Sequence, residues 1–286
     1  MKKFLSAFLV LATLIGCEDV IEIEAPSETP RLFVDAILRI DESETFTTAV
    51  VQVGTTNSFF EEVSTTELQQ IIIRNNDYEP AGPLDSNFII LLETGPGRYE
   101  ATAGTNFFTE GMLQLTLEHE GQRYLANTEY VPAVPIDTLI QGEGELFSGE
   151  ETEIIVSFTD EPERNDFYLF DFDFGEYLVT EDEFYQGQTF EFSYFYDEGV
   201  NAGREIEIQL LGVDEPFYNY MNQIIVQAGG DQGPFQTPAA TVRGNIINTT
   251  NIDNIDSFDN VDDRNNFALG YFAVCQTFSK TIRVEE

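Results

Sequence analysis

From Arg31 onward, short segments of alternating apolar and polar residues are separated by turn-forming residues, which is the pattern of antiparallel β-strands. About seven such strands in roughly 100 residues are typical of a β-sandwich. We therefore predict a mainly all-β protein that begins with an immunoglobulin-like β-sandwich over residues 31–131. The predicted strands are Leu32–Leu38, Thr45–Val53, Gln69–Ile73, Phe88–Glu93, Arg98–Ala101, Leu113–Glu118 and Tyr124–Tyr130.

Two closely spaced prolines, Pro132 and Pro135, interrupt this series and favour an extended connector over a central strand. We place a domain boundary there and predict a second antiparallel β domain over residues 132–286. Its predicted strands are Thr152–Phe158, Phe167–Phe174, Thr189–Tyr196, Arg204–Gly212, Ala240–Asn248, Phe267–Gln276 and Phe278–Val284.

One segment near residues 214–228 departs from the strand pattern. It starts with acidic residues and Pro216, continues with apolar residues three and four positions apart, and ends at Gly229 and Gly230. These features mark the N-terminus, the apolar face and the C-terminus of an amphipathic helix. We expect its apolar face to pack on the second sheet, and a partner-binding helix is the alternative.

The first 17 residues have the form of a lipoprotein signal. Lys2 and Lys3 precede an apolar run from Phe4 to Ile15, and Gly16 and Cys17 follow it. Because a bilayer-spanning helix needs about 20 apolar residues, the run suits a cleaved signal better than a permanent span. We predict a signal peptide over 1–16, cleavage between Gly16 and Cys17, acylation of Cys17, and an acidic tether over 17–30.

The charge of the chain limits its partners. The formal net charge is −39, and removal of Lys2 and Lys3 with the signal makes it −41. Such a surface repels phosphate backbones and anionic lipid head groups, so we expect no nucleic-acid partner and attachment to the membrane only through the lipid. The 25 phenylalanines and 12 tyrosines nevertheless suffice for a folded core.

The sequence lacks the residues of common catalytic and cofactor sites. Its only histidine, His119, lies beside a predicted exposed turn, and its only cysteine after Cys17 is Cys275, in an apolar segment that predicts burial. A Ser-His-Asp triad, a Cys/His zinc site and a glycine-rich nucleotide loop are therefore not expected. We predict a non-enzymatic protein without a cofactor, and a carboxylate-based hydrolase is the alternative.

An aromatic band between Phe167 and Tyr196 is a candidate binding surface. Strict alternation would place Phe170, Phe172 and Phe174 on one face of a strand. Most of these rings are expected in the core, whereas a tyrosine-rich face or loop would suit a ligand or a protein interface. The candidates for that interface are Tyr177, Tyr185, Tyr194 and Tyr196.

A second candidate is an acidic segment in which aspartates recur every three residues. Calcium needs several convergent oxygen ligands, but the segment lacks the spacing and central glycine of an EF-hand loop. A solvated turn is the other interpretation. The candidate calcium ligands are Asp253, Asp256, Asp259 and Asp262.

Several segments, in this order, resemble the Bacteroidota surface lipoprotein family known as domain of unknown function 4249. They are Cys17–Ile21, Gly97–Tyr99, Gly121–Tyr124, Val131–Asp137, Val242–Ile246 and Leu269–Phe272. The resemblance implies a lipid-anchored, surface-exposed protein of the outer membrane that assists a TonB-dependent transporter in nutrient uptake. The resemblance implies no catalytic residue in this chain. The alternative function is that of a structural or adhesive surface protein.

Overall fold

The computed structural model describes residues 30–56, 64–82, 85–144, 146, 149, 151–196, 199–228, 241–250, 252 and 267–285. It confirms the predicted all-β class. The strands are β1 (Leu32–Ile40), β2 (Phe46–Thr55), β3 (Ser64–Thr65), β4 (Gln70–Asn75), β5 (Phe88–Ile90), β6 (Leu92–Gly95), β7 (Arg98–Gly104), β8 (Met112–His119), β9 (Gln122–Val131), β10 (Ile136–Gln141), β11 (Thr152–Thr159), β12 (Phe167–Asp171), β13 (Tyr177–Glu181), β14 (Thr189–Tyr196), β15 (Glu205–Val213), β16 (Ile247–Asn248) and β17 (Leu269–Arg283). The helices are α1 (Thr105–Thr109), α2 (Glu215–Ala228) and a 3-10 turn, Asp182–Phe184.

The first half of the chain, together with β17 from its C-terminal end, forms a sheet that folds around one core. Nine strands lie side by side in the order β5-β4-β8-β9-β17-β1-β2-β7-β6. The two end strands, β5 and β6, are neighbours in sequence with only the buried Leu91 between them, so the sheet curls back on itself. Along β1 every second residue from Leu32 to Ile40 is buried in this core, as the period of a strand requires.

The predicted hairpin around residue 120 is present, but its histidine is not exposed. Glu120 and Gly121 both have positive φ angles, 50° and 75°, as the two central residues of a tight hairpin turn between β8 and β9 require. His119 lies beside this exposed turn, as predicted. Its side chain is buried at the end of β8, where Nδ1 lies 3.3 Å from the carbonyl oxygen of Glu67.

Two strand pairs are parallel, which corrects the expectation of purely antiparallel pairing in the first sheet. β17 pairs in parallel with β1 from Phe33↔Leu269 to Ile40↔Gln276, and also with the end of β9. The antiparallel prediction depended on short connections between successive strands, whereas β1 and β17 are separated by most of the chain. Their relative direction was therefore not constrained by any turn.

A single long strand replaces the two strands that were predicted at the C-terminal end. β17 runs through Thr277 without a break, and its first half pairs with β1 while its second half pairs antiparallel with β15. Phe272 and Val274 lie in the first core, together with residues from β1 to β9. The division at residue 131 stays a prediction, and the strand that closes the first core comes from the range assigned to the second domain.

The second core lies between two antiparallel layers. One layer is β10-β11-β14, and the other is formed by β13, β12, β15 and the end of β17. The sequence analysis missed β10 and β13. It also extended β12 too far: Phe170 and Phe172 are buried, but Asp173 and Phe174 have positive φ angles and turn the chain, so Phe174 is exposed.

The predicted helix is confirmed as α2. The carboxylate of Asp214 accepts a hydrogen bond of 2.8 Å from the backbone N–H of Phe217, which caps the helix. Phe217, Tyr220 and Met221 are buried in a cluster that includes Leu211 of β15 and Cys275 of β17. Cys275 is fully buried as predicted, and α2 packs on the second layer rather than standing free.

Candidate functional site

A cleft opens where two neighbouring strands of the first sheet separate. β1 and β2 pair from Leu32↔Thr55 to Asp35↔Gln52, and the ladder then ends although both strands continue. Helix α2 and strands β12 and β13 form the opposite wall. The cleft is partly open to solvent, and its volume of about 630 Å³ lies within the range of roughly 300 to 1,000 Å³ that is usual for small-molecule sites.

The walls of the cleft are mainly apolar and aromatic. The outward positions of β1 contribute Phe33 and Ile37, and α2 contributes Tyr220 and Ile224. Most of these side chains are only half-buried, so they present apolar surface to the cleft. The remaining lining residues are Asp35, Leu38, Arg39, Thr48, Val50, Gln52, Arg98, Leu169, Tyr177, Met221, Gly270 and Tyr271.

Asp35 places a carboxylate among these apolar side chains. Burial raises the pKa of Asp35, and the opposing effects of the Ile37 backbone N–H and the Arg39 charge are smaller. Within the described part of the chain, no cation lies within ion-pair distance of this carboxylate. Burial, together with the nearby Asp35 carboxylate, also raises the pKa of Tyr220 to about 12.

The two cations that line the cleft are already paired. Arg39 Nη2 donates to Asp171 Oδ2 at 2.7 Å, and its Nη1 donates to Gln209. Arg98 Nε donates to Glu100 Oε1 at 2.6 Å. The lining therefore retains one negative charge, that of Asp35, without an ion-pair partner among the described residues.

Of the four tyrosines predicted as interface candidates, the structure places Tyr177 in the cleft wall. Tyr177 lies opposite Asp171 in the β12–β13 pair, and burial, followed by the charge of Asp171, raises the pKa of its phenol. An interface role for it stays a prediction. Asp35 and Arg39 were missed, although β1 carries a signal: its outward positions mix Phe33 and Ile37 with charges, which is typical of a partly covered face.

The other three tyrosines pack in or against the second core. The Tyr185 ring stacks on Phe190 with centroids 4.4 Å apart, and the Tyr196 hydroxyl donates to the carbonyl oxygen of Phe172 at 2.7 Å. Tyr194 stacks on Phe172 at 3.7 Å. These contacts agree with the expectation that most rings of the aromatic band belong to the core.

The remaining predicted site residues lie outside the described residues. These are Gly16 and Cys17 at the signal cleavage site and the aspartates Asp253, Asp256, Asp259 and Asp262. Among the residues that the structure does describe, no group of three or more His, Cys, Asp or Glu side chains is placed to hold a metal ion. No helix of that same part is both long and apolar enough to cross a membrane.

Together, the fold and the cleft define an all-β protein with a partly covered groove between a sheet and a helix. The chain belongs to the family described as domain of unknown function 4249, whose model matches residues 18–281. The resemblance found in the sequence is thereby confirmed at the level of the family. No curated protein is similar in sequence.

Proposed function

We propose that this protein is a non-enzymatic binding protein, anchored to the outer membrane through Cys17 and exposed at the cell surface, that assists a TonB-dependent transporter in nutrient uptake. The observation that carries the proposal is the cleft between α2 and the separated strands β1 and β2. Its apolar walls, with a few polar groups among them, have the composition of a ligand site.

Two further features support a binding role beside a transporter. The cleft lining includes Arg98, Gly270 and Tyr271, which belong to segments that carry the family resemblance. The signal-like residues 1–17 and the acids Glu18 and Asp19 favour a lipid-anchored surface protein. A lipid anchor would hold the cleft near the membrane without a spanning helix, because several acyl chains together give stable attachment.

Co-purification tests the transporter partnership. A tagged protein is solubilised from native membranes in mild detergent, captured, and its partners are identified by mass spectrometry. We expect a TonB-dependent transporter in the captured material. Recovery of the lipoprotein alone would contradict the partnership. The matched control is Cys17→Ala, which should release the chain from the membrane without unfolding it, and a variant that stays membrane-bound would contradict the anchor.

A structural or adhesive surface protein is the second candidate, and one observation favours it. Phe88, Ile90 and Leu92 form a row of exposed apolar residues along β5 and β6, with 37%, 49% and 68% of their surfaces accessible. Exposed apolar surface on end strands is typical of protein contact sites. Deletion of the protein separates the two functions, because loss of growth on a nutrient supports uptake and loss of attachment with normal growth supports adhesion.

A further inference from the structure

We propose that the cleft binds an amphipathic organic cation, whose ammonium group pairs with Asp35 and whose apolar body lies against Phe33, Tyr220 and Ile224. This inference deepens the proposed binding function and rests on it, because it names the class of ligand for the same cleft. The charges of the lining, the chemistry of the walls and the placement of Asp35 all favour such a ligand.

The charges of the residues that line the cleft favour a cationic ligand. Arg39 is bonded to Asp171, and Arg98 is bonded to Glu100, so neither brings an uncompensated positive charge. Asp35 is the lining carboxylate without an ion pair among the described residues. A ligand carboxylate or phosphate would meet this charge in a molecule whose net charge is already −39, whereas an ammonium group would neutralise it.

The placement of Asp35 makes such a pair favourable. The carboxylate is removed from much of its water, and burial raises its pKa because the charged form is poorly solvated there. An ammonium donor would replace the lost hydration with a charge-assisted hydrogen bond. The main desolvation cost of this carboxylate is already present in the unliganded protein, so the ligand does not have to offset it in full.

The walls specify the rest of the ligand. Phe33 and Ile37 flank Asp35 on β1, and Tyr220 and Ile224 face them from α2. An inorganic cation would leave this apolar surface in water, whereas an organic cation with an aromatic or aliphatic body would cover it. Aromatic rings beside the carboxylate also suit a cationic group through their π faces.

Isothermal titration calorimetry with three probes of one shape tests the inference. The probes are 4-phenylbutylamine, the neutral 4-phenylbutanol and the anionic 4-phenylbutyrate, and the protein is the full mature chain with Cys17→Ala, so that no acyl group interferes. We expect the amine to bind at least about tenfold more tightly than the alcohol, because one charge-assisted hydrogen bond gives an affinity ratio of about this size. The acid should bind most weakly of the three.

Three variants locate the site. Asp35→Asn keeps the shape of the side chain and should reduce amine affinity about tenfold and alcohol affinity by much less, because the alcohol carries no charge to lose its partner. Glu191→Gln removes the same charge from an exposed position on β14 and should leave both affinities unchanged. Val50→Trp fills the cleft from β2 and should weaken the binding of all probes. Circular dichroism confirms that each variant is folded.

The outcomes distinguish the two proposals. Equal binding of amine and alcohol would overturn the proposal that the ligand is a cation, and so would an amine affinity that Asp35→Asn leaves unchanged. The cleft would then be a site for an apolar ligand. Absence of binding by all three probes would also overturn the cation proposal. In either case, a co-purified transporter would still support the proposed function, and failure of that capture with amine binding intact would contradict the partnership alone.

Discussion

Asp35 in the cleft and three aspartates beside the second core are both withdrawn from water, but their surroundings differ. Asp160, Asp166 and Asp182 have only 3%, 5% and 7% of their surfaces exposed. The Tyr168 hydroxyl lies 2.6 Å from Asp160 Oδ1 and 2.8 Å from Asp166 Oδ2, and the backbone N–H of Gly187 donates to Asp160 Oδ2 at 2.8 Å. We call these three aspartates with Tyr168 the buried carboxylate network.

The rest of this network connects separate parts of the chain. The backbone N–H of Asp166 donates to Asp182 Oδ2 at 2.7 Å, the N–H of Asp182 donates back to the carbonyl of Asp166 at 3.1 Å, and Arg164 donates to the Asp166 carboxylate. Each carboxylate thus has donors within its own fold. A carboxylate that is satisfied in this way holds structure together, whereas Asp35, with Arg39 occupied elsewhere, retains capacity for a ligand.

The largest effect is expected when the network loses a member. Asp166→Ala should lower the free energy of unfolding by about 3 kcal/mol, because the half-buried Arg164 loses its ion-pair partner and the buried Tyr168 hydroxyl loses one of its two acceptors. Urea unfolding followed by circular dichroism measures the loss. Glu183→Ala, an exposed acid in the neighbouring 3-10 turn, is the control and should change stability by less than about 0.5 kcal/mol. If Asp166→Ala lost less than about 1 kcal/mol of stability, the buried carboxylate network would not stabilise the fold, and it would not differ from Asp35 in this respect.

A smaller effect is expected from removing the hydroxyl that lies between two carboxylates. Tyr168→Phe keeps the edge-to-face contact with Phe158, whose ring centroid is 5.4 Å away, but removes the donor to Asp160 and Asp166. We expect a loss of about 1 to 3 kcal/mol in the same unfolding experiment. Tyr218→Phe is the matched control, since this half-buried tyrosine of α2 shows no hydroxyl hydrogen bond among the described residues. Similar losses for both variants would mean that the hydroxyl of Tyr168 contributes little.

The features that sequence analysis predicted correctly are those that local chemistry determines. The signals for helix α2 are its capping aspartate, the apolar residues of one face and the two glycines that follow, and all lie within 17 residues of sequence, from Asp214 to Gly230. The signal for the β8–β9 hairpin is its turn at Glu120 and Gly121. Each of these signals acts between residues that are close in the chain.

The cleft could not be predicted in the same way because it depends on distant contacts. β17 joins β1 from the other end of the chain, and α2 then packs on β17 beside the point where β1 leaves β2. The pattern of β1 shows which side chains point outward, but it contains nothing about what covers them. The sequence therefore placed Tyr177 among the candidates by composition, and missed Asp35 and Arg39, whose roles depend on that covering.

The smallest effect on stability is expected for Asp35→Asn, and it has the opposite sign. This variant should be more stable than the parent protein, whereas Asp166→Ala and Tyr168→Phe should be less stable. Because the pKa of Asp35 is raised in the folded protein, the charged carboxylate favours unfolding at neutral pH, and this penalty is relieved as the pH falls through the folded pKa toward the unfolded value of about 3.9. The titratable groups that act on Asp35 or feel its charge are Arg39, Tyr177 and Tyr220.

Asp35→Asn should consequently raise the melting temperature at pH 7, and the gain should disappear near pH 4. Differential scanning calorimetry of both proteins across this range measures it, and Glu191→Gln should show no such convergence. A variant that is less stable than the parent at pH 7 would show that Asp35 is compensated within the fold, like the buried network. A variant that is more stable but binds the amine less tightly would show that the protein retains an unfavourable charge in the cleft for the sake of its ligand.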